Sequence, residues 1–165
     1  RDDDPVIFLE HKRTYRLVRG EVPDEEYTIP LSSADVKLEG GDLSVITYGL
    51  MVHHCMEAAQ TLANEGVSVE IVDLRTLRPL DNETILESVR KTGKALIVHE
   101  DNKAGGIGGE VASIIGEEAF EYLDGPVTRL AGPEVPAMPF SPAMEAMYML
   151  DSEKIANAMR QLAAY

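Results

Sequence analysis

The sequence predicts an α/β domain, a parallel sheet covered on both faces, and two stretches carry that prediction. They are VSVEIVDLRTLRPLD at residues 67–81 and KALIVHEDNKAGGIGGEV at residues 94–111. Each is a short apolar run that ends in polar residues and leads into a helical pattern. Strand, helix, strand, helix in succession requires parallel strands, because each crossover helix returns the chain to the same end of the sheet.

The elements follow in order. PVIFLE at 5–10 reads as a strand entered without a preceding turn, either the tail of something longer or an ordinary edge strand. Residues 10–41 are rich in charge, and Pro23 and Pro30 interrupt any helix, so this part reads as an extended linker. The compact domain is expected from Asp42. Residues 43–48 alternate as a strand would, and Gly49 ends them. Val52, Cys55, Met56, Ala59, Leu62 and Ala63 then share one helical face, with Gly66 as the stop.

Val67, Val69, Ile71 and Val72 are β-branched and make the next strand. Asp81 is placed as a helix N-cap, since its carboxylate can accept the orphan N–H groups of the following turn. Ile85, Leu86 and Val89 form the buried stripe of a helix that stops near Gly93. Residues 95–98 repeat the strand, and a glycine loop opens a helix running to about Leu123. Gly125-Pro126 precedes a strand at 127–131. The proline-rich stretch 133–142, with Phe140 inside it, must run over the surface. Asp151 or Ser152 caps a last helix whose Ile155, Met159 and Leu162 point inward.

The chain has 165 residues, 44% of them hydrophobic, which suits one domain with a sizeable core. Its formal charge of -14 opposes nucleic acid and anionic membrane as partners, because those surfaces demand clustered Lys and Arg. The acidity serves either solubility or a basic partner. Cys55 is the only cysteine, which rules out an internal disulfide and a cysteine-built zinc site. No window reaches the roughly 18 apolar residues of a membrane span.

Several constellations invite a functional reading. Gly105, Gly106, Gly108 and Gly109 suggest a phosphate cradle, but Val111 stands where the dinucleotide fingerprint needs its third glycine, and Glu110 would repel a pyrophosphate. A tight turn that lets the helix approach the sheet is the favoured alternative. His99 and Glu100 lie where open α/β sheets place ligands, yet successive strand residues face opposite ways, which favours a structural or interface role over proton transfer. His53 and His54 face about 100° apart on a helix and cannot share a metal. His11 reads as an exposed linker residue. Asp73, Arg75 and Asp81 suggest either a carboxylate clamp or an internal pair fixing a turn, the second being favoured. No complete catalytic constellation emerges.

DLRTLRPLD, KTGKALIVHED with its GGIGGEV loop, and the earlier EEYTIPLSSADVKLEGGDLSVITYG together resemble the β subunit of thiamine-diphosphate-dependent 2-oxo acid dehydrogenases. The resemblance runs from PVIFLEHKRTYR to GPEVPAMPFSP and the final helix, and it falls on the half of that subunit shared with transketolase. It implies a three-layer α/β/α sandwich, transketolase C-terminal-domain-like, with a mostly parallel five-stranded sheet and one antiparallel strand. Residues 1–19 would be the tail of a preceding pyrimidine-binding domain, 20–41 the linker and 42–165 the domain itself.

By the same resemblance, thiamine diphosphate and magnesium are held in the parent enzyme by the missing half and the α subunit. No catalytic, cofactor-binding or metal-binding residue is carried onto this chain, and none of its four histidines matches the family's catalytic one. The implied role is assembly: with the α subunit, with a second β subunit, and with the small basic subunit-binding domain of the dihydrolipoyl acyltransferase. His99, Glu100, Pro139, Phe140 and Tyr165 are the expected interface residues, and a homodimer or larger assembly is expected of the fragment. The PAMPFSP wording favours pyruvate or acetoin as substrate. Bacterial cytoplasm is favoured over mitochondrial matrix. A free-standing regulatory or ligand-binding domain using the glycine loop, and part of a deoxyxylulose-phosphate-synthase-like or transketolase-like enzyme, are the alternatives.

Overall fold

The computed structural model describes residues 2–165. Its center is a five-stranded sheet: β1 (Asp35–Leu38), β2 (Leu43–Thr47), β3 (Val69–Asp73), β4 (Ala95–Asn102) and β5 (Thr128–Gly132), in the spatial order β1-β3-β2-β4-β5. β2 pairs in parallel with both β3 and β4, β4 pairs in parallel with β5, and β1 alone is antiparallel, laid on the edge of β3.

Helices cover both faces. Along each central strand the side chains alternate between two cores. Leu43, Val45, Val69, Ile71, Leu96 and Val98 face α2 (Leu50–Ala63) and α6 (Ser152–Ala163). Ile46, Val72, Ala95 and Ile97 face α3 (Asn82–Thr92) and α4 (Gly108–Glu118). Because both faces are covered, the polar positions of β2 are interior too. Ser44 is fully buried and joins Ser88 and Thr92 of α3 through hydroxyl contacts of 2.6 and 2.7 Å. Two short helices, α1 (Thr14–Leu17) and α5 (Pro142–Tyr148), lie outside these layers with no buried residue.

The caps stand where expected. Asp81 accepts from the Thr84 amide and hydroxyl at the start of α3, and also from the Ala34 amide at 2.8 Å. Gly93 ends α3 in the left-handed region at φ 71°. Burial pushes the Asp81 carboxyl up, but the Ala34 and Thr84 donors outweigh it and hold it below its ordinary value. Asp81→Ala is therefore expected to cost about 1–2 kcal/mol, measured by urea unfolding, because it frees one cap and one long-range tie at once.

Three expectations are corrected. Residues 5–10 form no strand: they pair with no strand of the sheet, Ile7, Phe8 and Leu9 are exposed, and a β-prone run has nothing to hold it extended without a partner's hydrogen bonds. The stretch read as linker supplies both α1 and the antiparallel strand β1, so the sheet begins before Asp42. The helix after the glycine loop ends at Glu118, and a 3-10 turn, Phe120–Tyr122, follows it.

Candidate functional site

The connections after β2 and β4 leave on opposite faces of the sheet, α2 on one and α4 on the other, which is where open α/β sheets form ligand crevices. On the α3 and α4 face, beyond the sheet ends, lies a cleft of about 1040 Å³. One wall is the turn into α3, with Leu77, Arg78 and Asn82. The other is the glycine loop, with Gly105, Gly106 and Glu110.

The loop needs its glycines for a reason the sequence does not display. A Cβ on Gly106 would sit 2.7 Å from His99 Cε1, and one on Gly108 would sit 2.5 Å from His99 Nε2. Gly105 adopts φ 76°, a backbone conformation costly for other residues. The loop thus lies directly on the imidazole. This favors the tight-turn reading, with the ring as the surface the turn closes on.

His99 itself is at 0% exposure, stacked on Tyr48 with ring centroids 6.3 Å apart. Neither ring nitrogen has a well-formed hydrogen bond. Burial holds the imidazole below its ordinary value, against an upward pull from the carboxylate and main chain of Asp101. His99 was expected at an interface. In this chain it is instead buried beneath the glycine loop.

Glu100 points to the opposite face and meets His11, Nε2 to Oε2 at 2.6 Å. The reading of His11 as a free linker residue is therefore corrected: it fastens the segment before α1 to the end of β4. Both side chains are about a third exposed, so the contact orients the segment more than it stabilises the fold. His54 Nδ1 lies 3.7 Å from Glu57 on the next turn of α2. Among the described residues no group of three or more His, Cys, Asp or Glu side chains is placed to hold a metal.

Arg75 and Asp81 do not converge into a clamp. The Arg75 guanidinium pairs with Asp35 on β1, and its amide donates to Asp73 Oδ1 at 3.1 Å, while Asp81 caps α3. These are internal ties: the Arg75 amide meets Asp73, which the sequence reading had named, while Asp35 as the guanidinium's partner and Ala34 as a donor to Asp81 it had not. Cys55, wholly buried, has a thiol pushed up to about 12, which leaves it unreactive.

Of the remaining interface residues, Phe140 is fully exposed, Tyr165 is 75% exposed and Pro139 is half-buried. Around Phe140 the segment before and within α5 exposes Val135, Met138, Met144 and Met147, a set of apolar side chains that sequence reasoning reached only through Phe140. Their signal was present: four apolar residues in a stretch whose prolines keep it out of the core.

These features define a three-layer α/β/α domain with a mostly parallel five-stranded sheet, a crevice beyond the sheet ends and an exposed apolar segment around Phe140. The chain belongs to the transketolase C-terminal domain family, whose model matches residues 32–155. It is 54% identical over its whole length to the 2-oxoisovalerate dehydrogenase subunit beta of Bacillus subtilis (strain 168), covering 50% of that protein. It is 49% identical over 162 residues to the pyruvate dehydrogenase E1 component subunit beta of the same organism, covering 98% of this chain and 49% of that one. Among solved structures it is similar to a split gene transketolase described as an inactive beta4 tetramer. That match has a TM-score of 0.75 and 28% identity, and covers 88% of this chain and 46% of the other. The chain spans about half the length of the curated relatives it matches.

Proposed function

We propose that this chain is the assembly domain of the β subunit of a 2-oxo acid dehydrogenase, an enzyme that oxidatively decarboxylates its substrate with thiamine diphosphate. In that enzyme the acyl group passes to the lipoyl group of an acyltransferase core, and this half joins subunits rather than performing the chemistry. The observation that carries the reading is identity of about half along the whole chain with two such β subunits.

The residues of this half do not fit the cofactor. Glu110 stands at the amide end of α4, where it would repel a diphosphate, and it is the single carboxylate among the residues lining the cleft, too few to hold magnesium. No step through the cofactor is therefore assigned here. The two relatives act by name on different 2-oxo acids, and pyruvate or acetoin remains the substrate proposed from the PAMPFSP wording. A bacterial cytoplasm or a mitochondrial matrix suits the role, and no helix among the described residues is long and apolar enough to cross a membrane.

Assembly in this proposal uses Phe140 with its methionine neighbours and Pro139 for the second β subunit, with Glu100 and Tyr165 contributing at the margins. The net charge of -14 suits docking of the basic subunit-binding domain of the acyltransferase, since opposite potentials raise encounter rates. Two measurements test this. Sedimentation equilibrium should show a dimer or larger species, weakened about tenfold or more by Phe140→Asp, because burying a phenyl ring is worth about 1.5–3 kcal/mol. Calorimetric titration with the subunit-binding domain should show binding that weakens as salt rises. A monomer at high concentration, together with no heat at any salt, overturns the proposal.

A further inference from the structure

His99 presents a problem that the assembly role does not use: a titratable ring sealed in the interior at 0% exposure with neither nitrogen in a well-formed hydrogen bond. Protonated, it would place a charge beneath the loop, away from solvent. The charged and titratable groups that face it come from three directions. Tyr48 stacks on it from the end of β2, Asp101 lies two residues on along β4, and Arg129 reaches from β5. Asp101 alone favours the charged ring, and Arg129 opposes it. From the loop and the start of α4 comes only backbone, at Gly106 and Gly108.

The cover over the ring is also its weakest wall. β4 is held by β2 on one side and β5 on the other. The loop, by contrast, is tied to the sheet among the described residues at Lys103, whose amide donates to Gly132 and whose carbonyl accepts from Arg129, each at 2.9 Å. On its other side the loop is bonded to α4 alone, the Gly106 carbonyl accepting from the Gly109 amide at 3.0 Å and the Ile107 carbonyl from the Val111 amide at 3.1 Å. A proton reaching the ring from solvent comes through this wall, which is also one side of the cleft.

We propose that the glycine loop is a proton-gated latch: it lies closed over the neutral His99 ring, and uptake of a proton by that ring releases residues 104–107 from the start of α4 and reshapes the cleft they line. The sign follows from linkage. The open state binds the proton at the ordinary imidazole value of about 6.5, and the closed state binds it only at lower pH, so acidification favours opening.

The test is NMR on the 165-residue chain, following the His99 ring carbon and the amides of 105–109 between about pH 7.5 and about pH 5.5, where an ordinary histidine changes charge. Below about pH 6.5, loop protection against hydrogen exchange, corrected for the intrinsic rate, is expected to fall about tenfold per pH unit, with β2 amides unchanged. The loop and ring midpoints should coincide. His99→Phe should remove the pH dependence, and His11→Gln, on the opposite face of β4, should leave the midpoint in place. A ring that titrates while the loop amides stay fixed overturns the proposal, as does equal acid loss of protection in His99→Phe. Should that variant fail to fold, comparison of the two midpoints in the unmodified chain decides alone.

Discussion

Gly40→Ala is expected to lower unfolding stability by about 3 kcal/mol, although Gly40 lies in a turn and touches no apolar core. An added Cβ would stand 2.2 Å from the Val69 carbonyl carbon and 2.4 Å from the Glu70 amide nitrogen. These are main-chain atoms of β3, which is paired with β1 on one side and β2 on the other and has nowhere to move. The turn between β1 and β2 must therefore lift. Lifting it also disturbs the Gly40 amide contact with Glu70 and the Lys91 ammonium that bridges Glu39 and Glu70. Glu70 would feel that loss, because its side chain is only 2% exposed and a buried carboxylate needs its partners. Gly41→Ala is the control, since nothing lies within 4 Å of its Cβ. Urea midpoints measured for both variants at unchanged m-value should separate them clearly. Equal midpoints would mean that the turn shifts freely, and that close approach to β3 is not what holds a glycine at this position.

The contrast between β1 and residues 5–10 shows where local reasoning stops. DVKL at β1 carries two charges and lies in a stretch full of proline and acid, so nothing local marks it as a strand. It becomes one because the edge of β3 offers unpaired main-chain groups, and Arg75, after β3, reaches back to Asp35. VIFL at 6–9 has all the local marks of a strand and forms none. Strand formation is a property of the partner as much as of the segment, whereas a helix carries its own hydrogen bonds. For that reason α3 and α6 were legible to within a residue of their caps: Asp81 and Gly93 for the first, and for the second the Ile155, Met159, Leu162 stripe with Asp151 or Ser152, of which Asp151 is the cap.

The same distinction governs the site. The repeated glycines were visible, and so was the mismatch with a phosphate-binding fingerprint, but their cause is a ring that reaches the loop from inside the sheet. His11 and Glu100, eighty-nine positions apart, carried no signal of each other at all. What could be read was the alternation along β4, which sends His99 and Glu100 to opposite faces. In the structure His99 is buried under the loop while Glu100 is engaged by His11. The alternation could not say that one of them would be sealed and the other would tether the segment leading into the domain.

Met159→Ala is expected to cost about 3 kcal/mol, read as a fall of ~6–12 °C in Tm. The family model ends at residue 155, inside α6, yet the packing does not. Met159 is at 0% exposure and Leu162 at 3%, in one cluster with Met51, Cys55 and Leu62 of α2 and with strand residues Val69 and Leu96. Truncation opens a void between α6 and α2 that rigid neighbours fill only in part. The Asp151 cap and the Arg160 pair with Glu65, both exposed, are too weak to offset it. Met147→Ala gives the opposite result on the same side-chain chemistry. Met147 is 80% exposed on α5, so its loss should leave Tm within about 1–2 °C while weakening self-association in the sedimentation experiment. Two identical truncations thus separate methionine as core from methionine as contact surface. A Met159→Ala variant that melts within about 2 °C of the parent would show that α6 rests on the domain without being part of its core. A Met147→Ala variant that melts early would place α5 in the fold and remove it from the interface.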